Sequence, residues 1–214
     1  MKTVCTCHKP AARSVRKTPE VCEDWQTYST PVWLTEYGDL NDQDRSAEND
    51  WKNYSLLANR RALQALNGGA QALFYFDLFD DYEECARRMT WYGLFTSAGH
   101  NYTPRKRYFA TRQLYHFVRP GAQRVDATAD GAGLTVTGFV DRTSNAVILV
   151  GVKQGGPDQV EVKLAGGAVD SWELYVTTRE LNCARMEPVR VLNGTAKVTL
   201  PGEAVFTLVG RLDR

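Results

Sequence analysis

No run of residues in this chain is apolar for long enough to cross a membrane as a helix. Neither charge dominates, since 26 Lys and Arg face 25 Asp and Glu and leave a formal charge of +1. Without a basic face, nucleic acid is not an expected partner, and neither is a membrane. Cysteine is scarce and odd in number: Cys5, Cys7, Cys22, Cys85 and Cys183, at irregular spacing. That is a poor disulfide framework. Cys5-Thr-Cys7-His8 with Cys22 matches none of the usual zinc spacings, so no metal is expected, and no cofactor either. The opening stretch, MKTVCTCHKPAARSVRK, lacks the apolar core of a signal peptide. Sequons at Asn53, Asn101 and Asn193 matter only in a chain secreted by a eukaryote, so the compartment stays undecided. Neither an internal repeat nor a low-complexity linker interrupts the sequence.

What is present is the composition of a globular protein, 214 residues long and 43% hydrophobic. The chain is organised around Pro31–Asp39, PVWLTEYGD. Val32, Trp33 and Leu34 read as a buried strand. Glu36 follows them, and Gly38 with Asp39 ends the strand. A carboxylate at the end of a buried strand is costly unless paired. In a parallel β/α sheet that end is also where chemistry is usually done. Two readings stay open, a catalytic carboxylate and an ordinary strand-end acid facing water.

Residues 1–30 are polar, with a short helix expected over Glu20–Tyr28. Ser46 is an expected N-cap for a helix over Ala47–Leu66, whose inner face is Trp51, Tyr54, Leu57, Ala58, Arg61 and Ala65. Asn67-Gly68-Gly69 stops it. Ala70–Asp77 (AQALFYFD) reads as a strand covered on both faces, and it too ends in a carboxylate. Strand, helix and strand at this spacing form one βαβ unit. Asp80 to Glu84 is an acidic stretch, read either as a solvated loop or as a cleft rim. Thr103 with Pro104 is expected to cap a helix over Arg105–Val118. His100 and His116 read as surface or packing residues.

From Arg124 the texture changes. Short β-rich runs alternate with turn residues: 134–140, 146–153, 159–164, 170–177, 189–192, 195–200 and 204–209. Asn193-Gly194 is a hairpin signal. Such regular short strands argue for an antiparallel β-sandwich. The expected organisation is a partial β/α-barrel segment over 1–118 and a β-sandwich over 119–214, an α/β class joined to an all-β one, with an apolar interface between them.

Thr35-Glu36-Tyr37-Gly38 after a strand resembles the nucleophile strand of retaining glycoside hydrolases of clan A, in particular families 30, 39 and 5. The passage WYGLF…YTPRKRYFATRQLYHFVRPGAQRV resembles the eighth barrel helix of those enzymes and its exit into an appended domain. LPGEAVFTLVG resembles the last strand of the small β-domain in family 30. The resemblance implies the last two units of a (β/α) barrel followed by a β-sandwich. It implies a hydrolase of glycosidic bonds, from a secreted parent enzyme, with carbohydrate as substrate.

By that resemblance Glu36 is the nucleophile, and Tyr37, Tyr75, Phe76, Asp80 and Trp91 are candidates for substrate contact. Phe74 and Phe79 share with Tyr75 and Phe76 the candidacy for an aromatic beneath the sugar. Retaining cleavage needs a second carboxyl group about 5–5.5 Å from the first. The acid/base of the family sits on the fourth barrel strand, usually in an Asn-Glu-Pro-like sequence that this chain lacks. Asp77 is the candidate substitute, because neighbouring strands lie about 4.8 Å apart. Two parallel strands leave open edges and an apolar face, which a second chain or a copy of this one would cover. The alternatives to an enzyme are therefore a carbohydrate-binding module without catalysis and a chain that completes the barrel of another.

Overall fold

A computed structural model of the chain describes residues 31–38, 43–83, 88–97, 101–130 and 133–212. The expected helix over Glu20–Tyr28, the thiols Cys5, Cys7, Cys22 and Cys85, and His100 lie outside the described residues.

Two layers are built from the two halves of the sequence. The first is a βαβ unit. Strand β1 (Trp33–Tyr37) runs parallel to β2 (Ala72–Tyr75), as the spacing predicts. Between them helix α1 spans 47–67. The Ser46 side chain accepts from the Asn49 N–H at 3.1 Å and caps it, and Gly69, at φ 106°, turns the chain out of it. The interior of α1 departs from expectation. Its segment Asp50–Leu57 is π-helical, so it gains about one residue per turn. The wider turn rotates the inner face: Trp51 meets Leu56, which is fully buried, while the expected Leu57 is only half-buried and Arg61 is exposed.

A pair of short hairpins follows, β3 (Tyr82–Glu83) with β4 (Arg88–Met89) and β5 (Phe95–Thr96) with β6 (Thr103–Pro104). The expected cap at Thr103 is corrected here. Thr103 and Pro104 are held by Phe95 and Thr96 in the hairpin, so helix α2 begins later, at Lys106–Tyr115, with Arg105 extended before it.

The second half is mostly β-sheet. Strands β7 (Gln123–Val125), β8 (Leu134–Asp141), β9 (Ala146–Lys153), β10 (Asp158–Lys163), β11 (Ser171–Thr177), β12 (Ala184–Arg185), β13 (Val189–Leu192), β14 (Thr195–Leu200) and β15 (Ala204–Arg211) belong to one hydrogen-bonded sheet, in which β12 lies off the main path and pairs with β11. β13 pairs with β11 at one end and β14 at the other, so the sheet is continuous and curls on itself. The seven long strands fall within two residues of their expected ends. Asn193 and Gly194, at φ 51° and 74°, make the tight β13–β14 turn, both in the left-handed region that such a hairpin requires.

Side-chain alternation divides β9 between two cores. Val147 and Leu149 join a core inside the curl with Trp172, Val198 and Phe206. Ile148, Val150 and Val152 face the other way, against Trp51, Leu63, Ala110 and Leu114 of the helices. The helix layer is thus seated on the sheet. Buried polar ties reinforce the seat. Gln113 Nε2 donates to Thr177 Oγ1 at 2.9 Å, and Thr207 Oγ1 donates to the Gln113 carbonyl at 2.7 Å. Among the described residues, no helix is long and apolar enough to cross a membrane.

Candidate functional site

The site is the end of the β1–β2 pair. Register runs Trp33 to Ala72 and Leu34 to Leu73, then shifts, so that Tyr37 meets Tyr75. One residue too many lies on β1 between those points, which is a bulge, and bulges re-aim side chains. Glu36 sits on it, exposed to solvent, while Tyr37 beside it is buried. The Tyr37 ring meets Tyr75 edge-on, with centroids 5.2 Å apart, and burial pushes both hydroxyls above their ordinary pKa. Tyr115 of α2 braces them by donating to the Leu73 carbonyl at 2.9 Å. Gly38, at φ 152°, closes the strand where an added Cβ would stand 3.0 Å from the Phe76 carbonyl oxygen. That close approach requires glycine.

Asp77 follows β2 through a cis peptide from Phe76. It is half-buried, and its Oδ1 is enclosed without a hydrogen-bond partner. Burial, with Asp80 and Asp81 nearby, pushes its pKa up to about 6.

Asp80 and Trp91 belong to one buried clamp. The carboxylate of Asp80 is bidentate to Arg105 and accepts from the Gly93 N–H at 3.0 Å. The Arg105 guanidinium also donates to the Gly93 carbonyl and lies 3.6 Å from the Trp91 ring centroid. Two residues on, Arg107 is fully buried, pairs with Asp50 of α1, and donates to the Trp91 carbonyl at 2.7 Å. These arginines pin the loop after β2 to the start of α2. Both Asp80 oxygens are thus engaged within the protein, and the Trp91 ring is covered by Arg105. In the sequence, Arg105 and Arg107 stand out only as the opening residues of an expected helix. The available signal was two arginines spaced by one at a helix start, downstream of an acidic loop.

Around the strand ends, Phe74, Phe76, Leu78 and Phe79 are 36–58% exposed. Phe74 leans on Trp33 at 6.0 Å, and Phe76 on Tyr92 at 5.9 Å. Of the expected contact residues, Phe76 is therefore on this open face, Tyr37 is beneath it, and Tyr75 is against α2. No group of His, Cys, Asp and Glu suited to a metal occurs among the described residues.

A bulged carboxylate at the end of a parallel β/α pair, with an aromatic wall and a curled β-sheet beside it, defines the class of fold. It is a fold similar to part of the fold of solved family 30 xylanases. A family 30 endoxylanase from Clostridium papyrosolvens superposes with a TM-score of 0.68 at 22% identity, covering 88% of this chain and 44% of that one. A family 30 subfamily 8 xylanase of Clostridium acetobutylicum gives 0.69 at 20% identity, covering 87% and 44%. The catalytic domain of a family 30 xylanase from Talaromyces cellulolyticus gives 0.68 at 20%, covering 86% and 41%. The chain thus spans less than half the length of these enzymes. No family profile matches the sequence.

Proposed function

We propose that this chain is the C-terminal part of a retaining glycoside hydrolase, acting on a xylan-like polysaccharide, with Glu36 as the attacking carboxylate. The observation that carries the reading is the position of Glu36. It is the exposed carboxylate on a bulge at the end of β1, in a chain whose fold follows three xylanases. Residues 1–118 are then the end of a barrel, and the curled sheet of 119–214 is its appended sandwich.

A Glu36 oxygen attacks the anomeric carbon as the bond to the leaving oxygen breaks. Asp77, whose raised pKa keeps it largely protonated below pH 6, supplies the proton to that oxygen. The Asp77 carboxylate then takes a proton from water, and the hydroxide displaces Glu36, restoring both groups. Phe76 and the neighbouring exposed rings offer apolar faces to the sugar.

The test uses a 2-fluoro xylobioside carrying dinitrophenolate. That leaving group departs without a proton, so labelling reports on the nucleophile alone. The expected result is one glycosyl adduct on the peptide containing Glu36, absent from Glu36→Gln. No adduct, or one placed elsewhere, overturns the assignment.

A further inference from the structure

Asn-Gly occurs at two places in the chain, Asn67-Gly68 and Asn193-Gly194. Glycine carries no side chain to shield its amide nitrogen from the carboxamide before it. The fold treats the two pairs differently. Asn67 ends α1, half-buried, with both ends of its carboxamide engaged. Its Nδ2 donates to the Val136 carbonyl at 2.9 Å, and its Oδ1 accepts from Thr137 Oγ1 at 2.9 Å. The Gly68 N–H is engaged too, donating to the Gln64 carbonyl at 2.9 Å. Asn193 and Gly194 are both exposed at the tip of the β13–β14 hairpin. Among the described residues, neither the Asn193 carboxamide nor the Gly194 N–H has a hydrogen-bond partner. Nothing stands within 4 Å of where a Cβ on Gly194 would be. The tip is also lightly held. Val191 with Ala196 and Leu192 with Thr195 join β13 to β14, and two further pairs join β13 to β11. So short a join opens locally at small cost.

We propose that Asn193 is a self-modification site that converts to isoaspartate, and that the product loosens the seam of the curled sheet. The Gly194 nitrogen bonds to Asn193 Cγ as the Cγ–Nδ2 bond breaks. Nδ2 leaves as ammonia, taking the proton from the Gly194 nitrogen. Water, the sole co-reactant, then opens the five-membered succinimide. Opening at the main-chain carbonyl leaves isoaspartate, whose main chain runs through the former side chain, and opening at Cγ leaves aspartate. Isoaspartate adds one main-chain atom and a negative charge to a turn whose two residues both need the left-handed region, at φ 51° and 74°. β10 and β14 reach the rest of the hydrogen-bonded path through β13 alone, so the added atom falls at the join that makes the sheet continuous. Asn67, with its amide and its glycine both held, stays intact and serves as the internal control.

The experiment holds the full chain at pH 8.5 and 37 °C and follows the Asn67 and Asn193 peptides by mass spectrometry for a gain of about one mass unit. Acceptance by an isoaspartyl methyltransferase distinguishes isoaspartate from aspartate. The expected result is isoaspartate at Asn193, formed at least tenfold faster than any conversion at Asn67. In 6 M guanidinium chloride, where the fold no longer selects, the two rates should agree within threefold. Asn193→Gly keeps the left-handed turn accessible and should leave that peptide unmodified. In the converted chain, amide exchange at 191–196 should quicken at least tenfold while exchange at 148–152 is unchanged. Conversion at Asn193 less than tenfold faster than at Asn67 would overturn the inference. So would the same preference persisting in guanidinium, aspartate without isoaspartate, or exchange at 191–196 indifferent to conversion.

Discussion

A single carboxyl group separates stability from chemistry at this site. Asp77 has a folded pKa of about 6, raised by burial and by Asp80 and Asp81. The unfolded value is near 4. Between these values the folded chain binds more protons than the unfolded one, so stability falls as pH rises from about 4 to about 6. Solvent screening of this half-exposed group limits the loss to about 1 kcal/mol. Asp77→Asn should remove that slope, and urea melts at pH 4 and pH 7 would show it. A variant as pH-dependent as the parent would mean that another group titrates. The buried pair is less forgiving. Arg105→Met leaves Asp80 charged at 5% exposure and should cost about 3–5 kcal/mol, read from the denaturation midpoint. Asp80→Asn combined with Arg105→Met should recover part of that loss, because no unpaired charge remains. The exposed strand-end position of Glu36 was legible because a charge one residue past an apolar run is conspicuous. The Asp80–Arg105 clamp was not, since 25 residues of chain separate its partners and neither breaks a local pattern.

Elements were legible where one period governs them. β9, β13 and β14 match their expected ends because turn residues bracket β-branched runs, and the Asn193-Gly194 hairpin follows from chirality alone. α1 was legible in extent but not in face. Its π-helical segment seats Asp50 against Arg107 while turning Leu56 inward, a tertiary demand that a period of 3.6 does not carry. The sheet has a similar hidden feature at Gly151. It pairs with Phe206, whose ring would stand 2.2 Å from an added Cβ. The aromatic ring fills the space above the bare backbone. Gly151→Ala should therefore destabilise by about 1–3 kcal/mol through overpacking. Phe206→Leu in the same chain should return part of it, a coupling that a thermodynamic cycle of the two substitutions measures. Additive effects would mean that the ring simply moves aside.

At the scale of the molecule, the sequence divides at about residue 118, but the packing does not divide there. Ile148, Val150, Val152 and Val205 of the sheet share a core with Trp51, Leu63, Ala110 and Leu114 of the helices. Gln113 bonds to Thr177 and Thr207 across the same boundary, and Glu203 accepts from Trp51 Nε1 at 3.0 Å. The change of texture at Arg124 marks a change of secondary structure, and composition does not reveal which faces meet. A layer whose described residues hold one parallel strand pair, two short hairpins and two helices draws much of its stability from the sheet it is anchored to. Helices and sheet should accordingly unfold in one transition. Trp51 sits in the shared core, whereas Trp172 lies inside the curl, so each reports on one core. Leu63→Ala, which empties a fully buried site in the shared core, should cost about 2–5 kcal/mol. It should shift helical ellipticity and the fluorescence of single-tryptophan variants retaining Trp51 or Trp172 by the same amount. If Trp172 keeps its midpoint while ellipticity moves, the curled sheet stands alone and the helix layer merely rests on it.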